Sequence, residues 1–383
     1  MLKIFQRMAR QLLRGLKMSN WPKWLPLREQ LRPLTPYGAP QVPAAARLNT
    51  NENPYGPSKK LAAAIANRIE EVSENLNRYP DRDALKLRQG LADYLEKQSN
   101  VKLSTENIWA ANGSNEILQS IFLAFGSNKA LGFVPSYSMH PLIGKVANVE
   151  WVEGARNSDF TLNLSKALEQ ISTNKPALTF ITSPNNPTGS AVTISVIEEL
   201  AKATAEIDGL LVVDEAYAEF SQQKSAITLI EKYPNVLVSR TMSKAFAFAG
   251  ARLGYLAANK IVIDAIQLVR LPYHLSALTQ AAAEVALEFQ DELLAEVAKL
   301  AKDRDKLAKN LQELGLKVIP SDANFILFSG FNVSSNQLWQ ELLADGVLIR
   351  DVGLPGYLRV TIGNDAENQI FLKAIEKALK GAL

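Results

Sequence analysis

Short apolar runs alternate with longer amphipathic stretches through the first two thirds of the chain. The runs at residues 130–134, 177–182 and 209–213 are too short for helices and are apolar at nearly every position. This pattern is typical of strands that are buried on both faces of a parallel sheet. Apolar residues at helical spacing lie between them, for example at residues 194–205. The alternation predicts an α/β fold with a mostly parallel sheet flanked by helices.

The last third of the chain has a different pattern. Residues 276–314 are rich in Ala, Leu, Glu and Lys and predict helix, with an interruption near 290–291. Strands are predicted near residues 317–319, 324–328, 347–350 and 357–361. Because 383 residues exceed the usual size of one core, we expect two domains. The predicted segments are a basic extension (1–30), an arm that contributes to small-domain and dimer contacts (31–64), a large domain (65–285) and a small α+β domain (286–383).

The N-terminal residues differ from the rest in charge and composition. Residues 1–20 contain five basic side chains and no acidic one, and they lack the long apolar core of a secretory signal. Four interpretations stay open: a membrane-surface helix, a targeting segment, a disordered extension, or translation assigned from too early a start, with Met18 as the true one. Residues 21–60 are rich in Pro and Asn, which predicts an extended arm that needs another surface, naturally a neighbouring subunit.

Composition excludes several classes of protein. The 42 basic residues against 39 acidic ones give a net charge of only +3, which argues against nucleic acid as a partner. The absence of cysteine excludes disulfides and thiolate metal sites, and two histidines make a histidine metal site improbable, so no metal is expected. No uncharged apolar run reaches the roughly 20 residues of a membrane span. We therefore expect a cytoplasmic location.

The strongest chemical signal lies at residues 239–254. Lys244 stands beside the hydroxyl residues Thr241 and Ser243, and Arg252 follows an apolar segment. This is the layout of a phosphate cradle with an amine beside it. An amine in partly apolar surroundings next to other cations has a lowered pKa and is nucleophilic enough to form a Schiff base. Pyridoxal phosphate has the aldehyde and the phosphate that would use both parts; the alternative is an ordinary loop with a surface lysine.

Two polar residues follow predicted strands on the N-terminal side of this segment. Asp214 ends the strand at 209–213, so it lies at the carboxyl edge of the sheet, where the sites of open α/β sheets are found. A buried carboxylate needs a cation, and a protonated pyridine nitrogen supplies one. The alternative is a cap for the next helix. After the strand at 177–182, a rigid turn, residues 183–189, directs the amide of Asn186 towards the same crevice.

These motifs resemble those of a known family. Residues 186–189 (Asn-Pro-Thr-Gly), 214–217 (Asp-Glu-Ala-Tyr) and 243–244 (Ser-Lys), with Arg252, occur in the order and approximate spacing of the fold-type I, class-II pyridoxal-phosphate-dependent aminotransferases. Residues 48–57, 77–81, 271–276 and 358–363 resemble the histidinol-phosphate aminotransferases. The resemblance runs from about Arg32 to the C-terminus. It implies transamination between glutamate and imidazole-acetol phosphate, giving histidinol phosphate and 2-oxoglutarate in histidine biosynthesis.

Cofactor contacts come partly from the residues and partly from this resemblance. A Gly-containing turn opens a predicted helix at residues 112–118, and its free backbone N–H groups at Gly113, Ser114 and Asn115 predict an anion site. A helix capped without a ligand is the alternative there. The resemblance implies that Tyr137 stacks on the pyridine ring. It also implies that Tyr217 and Asn186 bind the 3-oxygen of the cofactor and that Lys244 transfers the proton.

Substrate contacts are predicted mainly in the C-terminal strands. A guanidinium binds carboxylate or phosphate through two parallel hydrogen bonds, so Arg359 and Arg350 are candidates, with structural salt bridges as the alternative. The resemblance places anionic substrate groups at both, with a carboxylate at Arg359. It also implies a homodimer in which Tyr37 reaches the partner's substrate pocket and Tyr79 the partner's cofactor phosphate. Two further positions stay open: Asn53, substrate contact or turn residue, and His140, pocket-lining or structural.

Other functions compete with this interpretation. An aromatic-amino-acid aminotransferase of the same fold is the main alternative, because the shape of the pocket and not the lysine selects the substrate. A decarboxylase or lyase is less favoured. A non-catalytic, cofactor-binding regulatory protein would need a DNA-binding domain, and the stretch before Arg32 is too short for one. No Gly-x-Gly-x-x-Gly motif follows a strand, which argues against a dinucleotide-binding dehydrogenase.

Overall fold

The computed structural model describes residues 21–381. Its strands are β1 (Ala46–Arg47), β2 (Ile108–Ala111), β3 (Lys129–Val134), β4 (Glu150–Ala155), β5 (Leu178–Thr182), β6 (Leu210–Asp214), β7 (Val236–Thr241), β8 (Gly254–Ala257), β9 (Lys317–Val318), β10 (Phe325–Ser329), β11 (Val347–Leu348) and β12 (Leu358–Thr361). Its helices are α1 (Lys59–Ser73), α2 (Leu85–Ser99), α3 (Ser114–Phe125), α4 (Met139–Val146), α5 (Leu164–Asn174), α6 (Ile194–Ala205), α7 (Lys260–Ile266), α8 (Ala277–Glu288), α9 (Gln290–Glu313), α10 (Ser335–Ala344) and α11 (Asp365–Gly381). Short 3-10 turns lie at Glu29–Leu31, Thr105–Asn107, Ala218–Phe220 and Ala226–Leu229.

A seven-stranded sheet in the order β2-β8-β7-β6-β5-β3-β4 forms the centre of the molecule. The strands from β7 to β4 are parallel to their neighbours, whereas β8 is antiparallel to both β2 and β7. The mostly parallel sheet expected from the short apolar runs is therefore present. Because β5, β6 and β7 lie side by side, the residues that follow their carboxyl ends meet at one edge of the sheet.

Alternate residues of the central strands enter two separate cores. In β6, Leu211 and Val213 belong to one apolar cluster and Val212 to the other. In β5, Ile181 and Phe180 divide in the same way. Side chains on successive strand residues point to opposite faces, so helices must cover both faces of the sheet. This double burial explains why these strands are apolar at nearly every position.

The C-terminal third builds a smaller sheet. Strands β9, β10 and β12 form a three-stranded antiparallel sheet, and β11 pairs in parallel with β1 from the N-terminal arm. The arm is thus joined to the C-terminal part of the same chain. Helices α8 and α9 are separated at Phe289, next to the interruption that the sequence predicts.

Among the described residues, no helix combines the length and the apolar character that crossing a bilayer requires. The alternatives for residues 1–20 lie outside the described part of the chain. The domain boundaries drawn from the sequence stay a prediction.

Candidate active site

A cavity of about 410 Å³ opens at the carboxyl ends of β5, β6 and β7. Its volume lies within the range of small-molecule and cofactor sites. The C-terminal sheet and the arm close it on the opposite side, through Arg359 and Asn51. The predicted site residues that line it are Tyr37, Ser114, Asn115, Tyr137, Asn186, Asp214, Tyr217, Thr241, Ser243, Lys244, Arg252, Arg350 and Arg359.

Lys244 lies in the loop after β7, and its amine faces the cavity. Removal from water, with the nearby positive charge of Arg359, lowers the pKa of Lys244 from its ordinary 10.5 to about 8. Its Nζ donates a hydrogen bond to the Thr50 carbonyl oxygen at 2.9 Å. About half of the amine is therefore neutral near pH 8, as a nucleophile or a proton acceptor requires.

Asp214 is buried at the end of β6, and His140 lies against it. The Asp214 Oδ2 is 3.0 Å from His140 Nε2, and Oδ1 accepts from the Ala216 N–H at 3.3 Å. His140 itself is buried beside the rings of Phe180 and Trp151. Of the two interpretations left open for His140, the structure favours the structural one, because the histidine supports Asp214 and does not line the cavity.

The N-terminus of α3 forms an anion cradle. Gly113 precedes the helix with φ +84°, and a Cβ on this residue would lie 2.5 Å from Arg252 Nη2. A Cβ on Gly254 would lie 2.3 Å from the Ser114 nitrogen. Both glycines therefore allow the guanidinium and β8 to approach the helix start. Backbone N–H groups, the helix dipole, Arg252 and the hydroxyls of Thr241 and Ser243 together favour a phosphate.

Arg359 crosses the cavity from β12 and is buried. Its Nη1 donates to Asn186 Oδ1 at 2.6 Å and its Nη2 to the Asn49 carbonyl oxygen at 2.9 Å, whereas Nε has no hydrogen-bond partner. Burial lowers the pKa of Arg359 to about 10. Within residues 21–381, no carboxylate forms an ion pair with Arg359 or Arg350. Both guanidinium groups therefore remain available for an anionic ligand.

Two tyrosines reach the cavity from different elements. The Tyr217 hydroxyl accepts from Asn51 Nδ2 at 2.9 Å, and the Tyr137 hydroxyl donates to Asn115 Oδ1 at 3.2 Å. Burial is the main cause that raises the pKa of both phenols above the ordinary value. Both side chains are therefore neutral at physiological pH and keep their hydroxyl protons.

Three predicted site residues do not line the cavity: Gly113, Asn53 and Tyr79. Gly113 lies behind Ser114 and contributes space for Arg252. The Asn53 Oδ1 accepts from the Tyr55 N–H at 3.0 Å, which is the turn role left open by the sequence. Tyr79 is 79% exposed and stacks on Tyr273, with ring centroids 4.4 Å apart.

Tyr37 lines the cavity of its own chain, and its contact with a partner's substrate pocket stays a prediction. The arm folds back on this chain: Arg28 donates to the Val146 carbonyl oxygen at 2.7 Å, and Asn49 to that of Pro40 at 2.9 Å. Part of the surface that the extended arm needs is therefore supplied by its own chain. Local sequence could not show that a nearby helix of the same chain offers hydrogen-bond acceptors.

Several cavity residues were not singled out from the sequence. Thr50, Asn51 and Glu52 belong to a motif that was recognised only through the resemblance, and Asp351 follows a predicted strand. Their Asn- and Pro-rich context predicts turns and gave no chemical signal. Only the folded chain brings the arm to within hydrogen-bond distance of Lys244 and Tyr217.

A buried amine, a buried carboxylate and an anion cradle thus lie together at the carboxyl ends of the parallel strands. This combination defines a cofactor-binding enzyme of the aminotransferase type. The family described as aminotransferase class I and II matches residues 45–375, and the chain belongs to this family. The aminotransferase activity and the α/β fold predicted from the sequence are confirmed.

Relatives with more than half of their aligned residues identical carry a more specific name. The chain is 56% identical over 352 residues to the histidinol-phosphate aminotransferase of Nocardia farcinica, covering 91% of this chain and 90% of the relative. It is 54% identical over 353 residues to that of Mycolicibacterium smegmatis, covering 91% and 92%. The resemblance to this group is therefore confirmed.

Solved structures agree with the fold. The histidinol-phosphate aminotransferase of Sinorhizobium meliloti, in complex with pyridoxal-5'-phosphate, superposes with a TM-score of 0.82 at 25% identity, covering 96% of this chain and all 100% of that one. That of Clostridium acetobutylicum gives a TM-score of 0.79 at 25% identity, covering 88% and 99%.

Proposed function

We propose that this chain transfers the amino group of glutamate to imidazole-acetol phosphate, giving 2-oxoglutarate and histidinol phosphate in histidine biosynthesis, with pyridoxal phosphate as cofactor. The names of relatives that are 53–56% identical over most of the chain support this assignment. The observation that carries it is the juxtaposition of Lys244, Asp214 and the α3 cradle in one cavity.

The residues of the cavity fit pyridoxal phosphate. The cradle, which Gly113 and Gly254 allow to form because neither carries a Cβ, suits the phosphate, with Ser114, Asn115, Thr241, Ser243 and Arg252 around it. Asp214 suits a protonated pyridine nitrogen, because its carboxylate is buried and faces the cavity. The ring of Tyr137 provides a surface for stacking, and Asn186 and Tyr217 provide polar groups for the 3-oxygen.

When bound, the cofactor supplies an aldehyde that takes up the amino group and a ring that accepts electrons. The protein supplies the proton transfer and the electrostatics. Lys244 Nζ, with a pKa of about 8, accepts the proton from the substrate carbon that bears the amino group and later returns a proton as the acid. Asp214, held by His140, directs its carboxyl group to the cavity. Transfer of the amino group in two halves requires ping-pong kinetics.

Arg359 and Arg350 account for the anionic groups of the substrates. Both substrates of this reaction carry negative charge, as a carboxylate in glutamate and as a phosphate in histidinol phosphate. Arg359 and Arg350 both line the cavity, and neither forms an ion pair among the described residues. We assign the α-carboxylate of glutamate to Arg359 and further anionic groups to Arg350, with Tyr37 beside them; a contact from Asn53 would need a change in its turn.

We also propose a cytoplasmic homodimer. Tyr79, Leu268 and Leu271 are 79%, 85% and 74% exposed. Tyr79 stacks on Tyr273, so it lies next to the exposed apolar residues of the segment 268–273. Exposed apolar side chains of this size mark an interaction surface. A second copy of the chain would cover them and place Tyr79 close to the partner's cofactor phosphate.

A half-reaction tests this proposal. Purified protein with pyridoxal phosphate is expected to show a visible absorption band that histidinol phosphate removes far faster than phenylalanine does. Lys244→Ala should lose this band, and Lys306→Ala, which truncates an exposed lysine, should keep it. Comparable or faster conversion with phenylalanine would favour the aromatic-amino-acid aminotransferase. An unchanged band in Lys244→Ala would contradict the assignment of the lysine.

A further inference from the structure

Asn51 connects the N-terminal arm to a tyrosine of the central fold. It is buried, with φ 55°, a left-handed conformation that Asn adopts more readily than most residues. Its Nδ2 donates to the Tyr217 hydroxyl at 2.9 Å, although the two residues are 166 positions apart in the chain.

The hydrogen bonds around Asn51 determine which end of its amide faces Tyr217. The Asn51 backbone N–H donates to Thr361 Oγ1 at 3.0 Å. The Thr361 hydroxyl accepts in that bond, so its own proton is available for Asn51 Oδ1, also at 3.0 Å. The opposite amide orientation would take away the acceptor of the buried Thr361 hydroxyl proton, so the NH₂ group points at Tyr217. The Asn51 carbonyl oxygen accepts from Asn324 Nδ2 at 3.1 Å, which holds the backbone in place.

The orientation of the amide sets the direction of the tyrosine proton. An NH₂ group only donates, so the Tyr217 oxygen accepts and its own proton must point elsewhere. Among the described residues, the Tyr217 hydroxyl donates no hydrogen bond, and its side chain lines the cavity. The proton therefore points into the cavity.

We propose that Asn51 is a positioning residue that fixes the Tyr217 hydroxyl as a hydrogen-bond donor to the 3-oxygen of pyridoxal phosphate. This inference rests on the proposed function, because it requires that cofactor in the cavity. Thr361 lies on β12 and Asn324 just before β10, so the C-terminal sheet controls the hydroxyl direction through Asn51.

Reversal of the hydrogen bond tests the proposal. In Asn51→Asp the carboxylate accepts, so Tyr217 turns its proton towards it and away from the cavity. Loss of the donor destabilises negative charge on the 3-oxygen. The proton that this oxygen shares with the Lys244 nitrogen is therefore harder to remove. The pH midpoint of the visible absorption change of the pyridoxal-phosphate-loaded, full-length protein should rise by about one unit, since a hydrogen bond to a charged group contributes about a tenfold change in an equilibrium.

A double-mutant cycle separates positioning from the added charge. Tyr217→Phe alone should raise the midpoint by a similar amount, and Asn51→Asp in the Tyr217→Phe background should add less than about 0.3 unit if it acts through the hydroxyl. An equal shift with and without the hydroxyl would mean a through-space charge effect and would overturn the proposal. Asn100→Asp is the matched control, because Asn100 has the same φ of 55° but is exposed on the surface.

Two variants of Thr361 that add no charge test the proposal if Asn51→Asp does not fold. Thr361→Val removes the hydroxyl that orients the amide and should raise the midpoint, whereas Thr361→Ser keeps the hydroxyl and should match wild type. A wild-type protein without a visible band would refute the proposed function, and this inference with it. A normal wild-type band with unshifted midpoints in Asn51→Asp and Thr361→Val would refute this inference alone.

Discussion

Lys244 is the residue whose chemistry depends most directly on its surroundings. Its amine is removed from water and lies near two other cations, Arg359 and Arg252, with Glu52 as the opposing charge. The folded chain therefore disfavours the protonated amine, which the unfolded chain tolerates. The same environment that activates the lysine should lower the stability of the protein without cofactor.

This conflict predicts a pH-dependent effect of Lys244→Met. The pKa of Lys244 is about 8 in the folded chain against an ordinary 10.5, so between these values the unfolded chain binds more protons and wild-type stability rises with pH. Below pH 8, burial of the Lys244 amine therefore lowers the free energy of unfolding of the wild type by the full ~3 kcal/mol. Lys244→Met removes this destabilisation. Chemical unfolding of the cofactor-free protein should show the variant more stable at pH 7, with its advantage shrinking towards pH 10.

Lys306→Met is the control for this prediction, because Lys306 is exposed. It should change the free energy of unfolding little and equally at both pH values. A constant difference between wild type and Lys244→Met across this range would contradict the lowered pKa.

At the scale of elements, a buried ion cluster joins the two strands that carry the active residues. Arg240 in β7 donates through Nε and Nη2 to Glu215 Oε2, at 3.0 and 2.7 Å. Glu215 directly follows Asp214, the last residue of β6. Its Nη1 donates to Glu219 at 3.2 Å, and burial raises the pKa of Glu219. The cluster therefore fixes the end of β6 against the strand that leads to Lys244.

Removal of the cation from this cluster should be costly. Arg240→Met leaves Glu215 buried without its partner, and the free energy of unfolding should fall by about 3–5 kcal/mol. Denaturant titration measures the change, and Glu215→Gln in the Arg240→Met background should recover part of it because the unpaired charge is gone. The exposed pair of Lys232 with Glu198, at 2.7 Å, is the control: Lys232→Met should lower the free energy of unfolding far less, because solvent screens this pair. Equal losses in Arg240→Met and Lys232→Met would contradict this account.

At the scale of the whole molecule, apolar side chains around Tyr79 and residues 268–273 lie exposed on one chain. Leu271 is 74% exposed, and Tyr79 stacks on Tyr273. If a second copy covers this surface, a charge introduced at its centre would be buried without a partner. The two copies would then separate so that the charge stays in water.

Leu271→Asp is therefore expected to convert a wild-type dimer into a monomer. Light scattering coupled to size-exclusion chromatography measures the mass directly. Gln340→Asp, at an exposed position of α10, adds the same charge and should leave the dimer intact. A monomeric wild type, or a dimeric Leu271→Asp, would show that this surface is not the dimer interface.

The sequence predicted the centre of the fold well and its margins less well. Strands β3, β5 and β6 are visible in the sequence because burial on both faces leaves a nearly uninterrupted apolar run. The edge strand β4, Glu150–Ala155, was not identified, since it pairs only with β3 and most of its residues are exposed or half-buried. Helix α1 has Leu61 as its buried residue, so its first residues were included in the extended arm.

The sequence by itself determined the fold class and the family and predicted Lys244 and Asp214 as site residues, because these depend on residue type and on periodic burial along short segments. Only the tertiary structure decided that His140 supports Asp214, that Tyr37 lines the cavity of its own chain, and that Asn51 holds Tyr217. Those contacts join residues far apart in the chain. They follow from how the arm and the C-terminal sheet pack over the strand ends, and no local pattern encodes that packing.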